Sequence, residues 1–226
     1  MDIGRVLNDS FVYAKDAVWG KWTRWILLII ASIIFPLIMG YELEVYRGKK
    51  PAPEPANWGK LFIDGIKLLI IQIIYLIPVL IVALIFIGGG ALMTMGGSPT
   101  AVMAGVGSIL IGVLITLIVA FVIGLIEMMG VIRFARTGRM GEAFNFSAIL
   151  DRIGKIGWGS YIIALIVVAI VACIIGFVLS AIPVIGGLLL IIVIPALVIF
   201  VARFITLVYD SVPAEAPPVP PAPPAA

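Results

Sequence analysis

The sequence predicts an all-α membrane protein: a polytopic helix bundle with four full spans, a short Pro-broken first segment and an N-terminal amphipathic helix at the membrane interface. Of its 226 residues, 63% are hydrophobic and 12% are charged, and the mean hydropathy is +1.26. A soluble domain is roughly 45–50% apolar and 25% charged. Four apolar stretches also have the length of about 20 residues that a helix needs to cross a bilayer.

Residues 1–24 form the predicted amphipathic unit. Apolar residues recur at helical spacing, with charged residues on the opposite side. They are Ile3, Val6, Leu7, Phe11, Ala14 and Val18. Three tryptophans follow closely, and tryptophan favours the membrane–water interface. The helix therefore lies in the interface or, alternatively, packs on the protein's own loops.

The first apolar segment, 25–41, is interrupted by Pro36, which removes a helical hydrogen bond and kinks the chain. If this segment spans the membrane, basic residues lie on both faces. If it dips in and returns, all of the 15 Lys and Arg residues except Arg203 flank one face. Because basic loops stay on the cytoplasmic side, the charge distribution favours a re-entrant hairpin over a fifth span.

The four full spans are predicted at 68–87, 101–134, 161–179 and 188–209. Segments 88–100 and 180–187 carry no charge, and we expect a flexible glycine-rich loop and a tight turn, both on the outer side. The transmembrane domain covers residues 25–211. Residues 212–226 form a Pro-rich tail without a fold of its own.

The helix 101–134 is expected to be the central post of the bundle. A small residue occurs at every fourth position over five turns, and such rows mark where helix backbones approach closely in lipid. Chance in an Ala- and Gly-rich helix is the alternative explanation. The predicted packing positions are Ala104, Ser108, Gly112, Thr116, Ala120 and Gly124.

A weak internal repeat relates residues 25–88 to residues 101–180. Gly40 and Gly48 match Gly130 and Gly138, and in both units a short amphipathic stretch follows before the next span. Duplicated helical units are common in membrane folds.

These residues also carry a resemblance to a known family. A Pro-broken apolar segment leads to Gly40-Tyr41 and Tyr46-Arg47-Gly48, and a Pro-rich link then leads to Asn57-Trp58 and to Leu61-Phe62-Ile63-Asp64-Gly65-Ile66-Lys67. The chain resembles, over roughly residues 1–210, the archaeal and bacterial multi-pass family catalogued as domain of unknown function 4013. The resemblance implies the architecture and, because that family has no assigned activity, no function.

Two charges lie inside apolar runs, Glu127 and Arg203. Such residues are costly in lipid and usually face protein or water, often as a pair. Each lies about two turns from the inner end of its helix, and Glu127 shares a side with the small-residue row. We expect an intramembrane ion pair that locks two helices. The alternatives are a proton or ion step at Glu127, and two charges that reach the interface unpaired.

At the inner end of the same post, Arg133, Arg136 and Arg139 recur at every third position. They predict a basic edge that meets lipid headgroups or a partner. Ordinary loop residues of the cytoplasmic side are the equally simple alternative.

The residue types of the chain do not support an enzymatic function. The chain has no histidine and one cysteine, so acid–base and nucleophilic pairs built on histidine are excluded. No Walker or dinucleotide-binding motif occurs. We expect no catalytic, cofactor-binding or metal-binding residue, and no cofactor.

The expected function is a non-catalytic scaffold or assembly subunit of the cytoplasmic membrane, with both termini in the cytoplasm. Its partners would be membrane lipids and further copies of itself or a membrane complex partner, and not nucleic acid. Two alternatives stay open: a small transporter or channel that uses Glu127, and a subunit that anchors a larger enzyme complex in the membrane.

Overall fold

The computed structural model describes residues 1–183 and 185–213, and all regular structure in those ranges is helical. The predicted Pro-rich tail lies outside the described residues from position 214 onward. Those two ranges contain nine α-helices: α1 (Ile3–Val18), α2 (Trp22–Ile33), α3 (Phe35–Tyr46), α4 (Trp58–Ala83), α5 (Gly89–Thr94), α6 (Pro99–Thr137), α7 (Phe146–Ile156), α8 (Trp158–Ser180) and α9 (Gly186–Tyr209).

Four helical segments are long and apolar enough to cross a membrane, which confirms the predicted number of full spans. They are Trp58–Thr94, Pro99–Thr137, Trp158–Ser180 and Gly186–Tyr209. With 39 residues, α6 is the longest. Ser98 caps its first turn by accepting a hydrogen bond from the Ala101 amide at 3.2 Å, and Gly138 ends it with a φ of +73°. A cap and a left-handed glycine are the expected start and stop signals of a helix.

The prediction of a flexible loop at 88–100 is wrong for most of these residues. Helix α4 continues through a π-helical turn, Leu84–Gly88, directly into α5. The non-helical connection that follows α5 extends only to Ser98, and α6 begins at Pro99. The physical reason is that α5 and α6 form a close hairpin: a Cβ on Gly90 would lie only 2.7 Å from the Gly105 carbonyl oxygen. Glycines here allow two helices to touch instead of opening a loop.

The first apolar segment forms two helices, α2 and α3, that meet at Ile34. Each has 12 residues, which is roughly 18 Å and too short to cross a core of about 30 Å. The start of α2 lies against the link that follows α3, since Arg24 forms an ion pair with Glu54. The segment thus has the geometry of a hairpin, and its depth in a membrane stays a prediction.

Helix α1 packs along α9. Its buried residues, Ser10, Tyr13, Ala14, Ala17 and Val18, form the side that faces the protein. The apolar stripe therefore covers a span of the protein itself, although Phe11 and Trp19 stay exposed.

The hydrophobic core lies at one end of the bundle. We call this the charged end, where α3, α6 and α9 end at Tyr46, Thr137 and Tyr209. Most buried residues of α6 lie between Leu125 and Ala135, and beyond them toward the other end only Gly105 and Gly112 are buried. The buried residues of α8 also stop at Val168. The helices pack together at the charged end and leave their opposite halves largely uncovered.

Candidate functional site: the charged end of the bundle

Two arginine side chains at the charged end each donate a hydrogen bond to the backbone carbonyl of the residue that precedes the other arginine. The Arg47 Nε donates to the Ala135 carbonyl at 3.3 Å, and the Arg136 Nε donates to the Tyr46 carbonyl at 2.7 Å. Arg47 directly follows α3 and Arg136 lies in the last turn of α6, each in one of the two predicted repeat units. A left-handed glycine comes shortly after each arginine, Gly48 and Gly138. At the charged end, the two predicted units are thus held to each other by almost reciprocal contacts.

A second set of charges surrounds Glu44, which is 5% exposed. Its carboxylate pairs with Arg47, Lys49 and Lys60, and Arg47 also pairs with Asp64 at 2.7 Å. Burial alone would raise the pKa of Glu44, but the hydrogen bonds from the two lysines and the charge of Arg47 outweigh it and lower the pKa to about 2. The cluster ties the end of α3 to the start of α4.

Glu44→Gln is therefore expected to destabilise the protein at neutral pH by about 1–2 kcal/mol. A carboxylate with a lowered pKa stabilises the fold above its ordinary pKa of 4.5, and this contribution is lost as the pH falls toward about 2. The difference between parent and variant in thermal unfolding should accordingly be large at pH 7 and shrink below pH 4. A difference that stays constant with pH would contradict the assignment.

Arg152 is a buried cation that was not among the predicted site residues. Its guanidinium donates to the carbonyls of Tyr209, Val212 and Pro213 and lies 4.2 Å from the centre of the Tyr209 ring. It fixes the end of α9 against α7. The signal was present, because Arg152 falls on the apolar side of the amphipathic helix α7, beside Ile149 and Ile153.

The predicted Glu127–Arg203 pair is wrong. The Arg203 Nε donates to the Asp9 carboxylate at 2.9 Å, and its guanidinium lies 4.8 Å from the centre of the Tyr13 ring. Burial raises the pKa of Asp9, but Arg203 and Lys50 together hold it below its ordinary value. The charge inside α9 is thus neutralised by α1, which was predicted either to lie in the membrane interface or to pack on the protein's own loops.

Glu127 lies half-buried on α6 near two phenols. Its charge is within electrostatic range of Tyr46 and Tyr75. The Tyr46 hydroxyl donates to Glu42 at 2.6 Å. No cation forms an ion pair with Glu127 in the part of the chain that the structure describes.

The predicted basic edge is engaged in contacts within the protein. Arg133 and Arg139 pair with Glu142 at 2.8 and 2.9 Å, and Arg136 pairs with Asp210 at 2.7 Å. Only Arg139 presents most of its side chain, 75%, to the surroundings. These arginines join α6 to the turn before α7 and to the end of α9.

The small-residue row divides between two sides of α6. The Ser108 hydroxyl donates to the Phe86 carbonyl at 2.9 Å, and a Cβ on Gly112 would overlap Phe86, whereas no atom lies within 4 Å of a Cβ on Gly124. Ala104 is exposed, and Thr116 and Ala120 are partly buried. Successive residues of an α-helix lie about 100° apart around its axis, so two positions that are four residues apart differ in direction by about 40°. The six positions of the row therefore spread over about 200° around the helix. Gly105, seven residues before Gly112, makes the close helix contact that was expected of Ala104.

The contacts at the charged end hold helices together. Within residues 1–183 and 185–213, no three Asp, Glu or Cys side chains lie close enough to hold a metal ion. Cys173 lies exposed on α8, far along the chain from every carboxylate of the cluster.

Comparison with known proteins identifies a family. A family model described as "Protein of unknown function (DUF4013)" matches residues 25–184. This is most of the chain, and the chain belongs to that family, as the resemblance predicted. No curated protein and no solved structure matches it.

Proposed function

We propose that this member of the DUF4013 family is a non-catalytic scaffold or assembly subunit of the cytoplasmic membrane. It would associate through the open halves of its helices with copies of itself or with a membrane partner. The observation that supports this proposal most is the side of α6 at Gly124, where an added Cβ would meet no atom of the described chain within 4 Å.

Exposed apolar side chains on a span need no explanation, since lipid covers them. A glycine with free space beside its Cα is different, because it lets a second helix approach closely, and close approach drives helix association in lipid. Gly107 on α6 and Gly176 on α8 are open in the same way. All three lie outside the compact core at the charged end.

The matched pair Gly124→Leu and Gly112→Leu tests the proposal. Gly124→Leu should leave the unfolding temperature in detergent almost unchanged and reduce the oligomeric fraction in membranes. Gly112→Leu should do the reverse: it should cost about 1–3 kcal/mol of stability, because Phe86 already fills the space. Blue native electrophoresis and thermal unfolding measure the two effects. Equal oligomeric fractions for the parent and Gly124→Leu would contradict the proposal.

We also propose that the charged end and both termini lie in the cytoplasm. The Lys and Arg residues lie at the charged end, whereas the turns at the opposite end carry no charge. This distribution supports the proposed orientation. Single cysteines in a Cys173→Ala background test it. An impermeant reagent outside the cell should label Met95→Cys but neither Asn8→Cys nor Lys50→Cys. Labelling of Asn8→Cys without Lys50→Cys would establish a fifth span.

A small transporter is the second candidate, and the position of Glu127 favours it. A half-buried carboxylate beside two tyrosines, with no cation paired to it among the described residues, could take up and release a proton. The test is pH-driven flux in liposomes: a transporter would lose flux in Glu127→Gln while its stability stays almost intact. A parent protein without flux would discard this candidate.

A further inference from the structure

A polar cleft opens at the charged end, where α6, α7 and the end of α9 meet. Its volume of about 370 Å³ is far larger than the roughly 30 Å³ that one water molecule occupies in the liquid, so an ion of several atoms fits. The polar side chains that line it are three arginines, one carboxylate and an exposed threonine: Arg133, Arg136, Arg152, Asp210 and Thr137. The excess of cations indicates an anionic ligand.

Arg152 contributes a positive charge that no carboxylate balances within residues 1–183 and 185–213. It is 3% exposed, its hydrogen-bond acceptors are three backbone carbonyls, and its Nε has no partner among the described residues. Carbonyl groups at a helix end carry only partial negative charge, whereas a buried cation is usually paired with a full one. The charge of Arg152 is therefore only partly compensated.

Arg136 supplies donors that a ligand can reach. Its side chain is 32% exposed. The Nε and Nη2 atoms bond to the Tyr46 carbonyl and to Asp210, and the Nη1 atom makes no hydrogen bond in the described part of the chain. The Tyr209 ring brings Arg136 close to Arg152, because the two guanidinium carbons lie 6.0 and 4.2 Å from its centre. Two like charges at one ring repel each other, and an anion beside them would offset this repulsion.

We propose that this cleft binds a phosphate group, with Arg136 as its donor and Arg152 as the buried counter-charge. The planar guanidinium of arginine donates paired N–H bonds to phosphate oxygens. A phosphate presents about three acceptor oxygens and can face two arginines at once. Arg133 also borders the cleft, but it already pairs with Glu142. Arg139, the last residue of the predicted basic edge, does not line the cleft.

Two sources carry this chemistry: the headgroup of an anionic phospholipid and a soluble phosphorylated compound. In either case the bound phosphate would hold the ends of α6, α7 and α9 together. The inference does not depend on the proposed scaffold role.

Native mass spectrometry of the full chain in a mild detergent tests the proposal with three probes: phosphatidic acid, a diacylglycerol with the same chains, and glycerol phosphate. The parent should bind one phosphatidic acid or one glycerol phosphate in preference to the diacylglycerol. Binding of phosphatidic acid alone would assign a lipid headgroup, and equally tight binding of glycerol phosphate would assign a soluble ligand. If neither phosphate-bearing probe binds better than the diacylglycerol, the proposal is overturned.

Four variants locate the site. Arg136→Gln should weaken binding of the phosphate-bearing probe about fivefold or more, whereas Arg139→Gln, the control at the end of the same helix, should leave it unchanged. Arg152→Gln should also weaken binding, provided that thermal unfolding shows a folded protein. Thr137→Glu keeps all three arginines, places a carboxylate in the cleft and should abolish binding.

The matched control for the last variant is Thr137→Gln, which has the same shape without the charge and should bind like the parent. Equal losses in Arg136→Gln and Arg139→Gln would indicate general surface charge and overturn the proposal, as would full binding by Thr137→Glu. Glu215 follows in the sequence just after the cleft. If only Glu215→Gln, and not the parent, bound phosphate, the chain's own carboxylate would be the ligand of the cleft, and the proposal would likewise be overturned.

Discussion

Gly65→Ala and Gly40→Ala should each destabilise the protein by about 3 kcal/mol or more. Helices α3 and α4 cross at these glycines. A Cβ on Gly65 would overlap the backbone of Pro36, and a Cβ on Gly40 would overlap the backbone of Leu61. Backbone cannot rotate aside as a side chain does, so the hairpin of α2 and α3 has to separate from α4. Thermal or denaturant unfolding in a mild detergent measures the loss.

The expected loss of stability has the opposite sign to the usual effect of a Gly→Ala substitution in a helix, so the test is decisive. Inside a helix, Gly→Ala normally stabilises by roughly 0.5–1 kcal/mol, because alanine restricts the unfolded chain. Gly59→Ala is the matched control in the same helix α4, since nothing lies within 4 Å of its added Cβ. We expect the control to be neutral or stabilising. Equal stability of Gly59→Ala and Gly65→Ala would refute the close crossing of α3 and α4.

The pair Asp9–Arg203 carries the second large effect. Asp9→Asn leaves the guanidinium of Arg203, which is 2% exposed, without its carboxylate, and we expect a loss of about 2–4 kcal/mol. Arg203→Met should cost less, because Asp9 is partly exposed and keeps Lys50 as a partner. The variant with both changes should lose less than the sum of the two, since it buries no unpaired charge.

Unfolding of the parent, the two single variants and the double variant gives the coupling directly. Asp16→Asn is the control, because Asp16 lies exposed on the same helix and should tolerate the change. Additive losses would mean that the two charges do not interact, and α1 would then be held to α9 by apolar contacts alone.

Features that depend on local chemistry could be predicted from the sequence. The number of full spans followed from apolar length. The bounds of α6, predicted as 101–134, lie instead at a serine cap before Pro99 and at a glycine at position 138, which are also local signals. The break between α2 and α3 followed from Pro36. In each case a few neighbouring residues contain the whole physical cause.

The misassigned segments depended on distant partners. Residues 88–94 contain three consecutive glycines, which end a helix in water but allow close helix packing in lipid when another glycine, Gly105, faces them. Asp9 looked like a solvent-facing residue of an amphipathic helix, and nothing near it in the sequence indicates Arg203. Such pairings follow from the fold and not from the local pattern.

In the small-residue row, Ser108 and Gly112 make close contacts as predicted, but helix geometry alone shows that the six positions cannot share one side. A row with a period of four does not follow a helix of 3.6 residues per turn, so its ends turn away from its middle. Gly105 and Gly112, seven residues apart, keep one direction and form the contact with α5 and the turn before it. Gly124, at the far end of the row, does not take part in that contact, and in our proposal it is left for a partner.

The mass of the complex in its native membrane tests the scaffold role most directly. Extraction into polymer-bounded lipid discs, without detergent, followed by mass photometry with and without a fluorescent tag, counts the copies of the 24.1 kDa chain and reveals any partner. We predict particles with at least two copies, or with one copy and a stable membrane partner, and a loss of these particles in Gly124→Leu. Particles that contain a single copy and lipid alone would contradict the scaffold proposal.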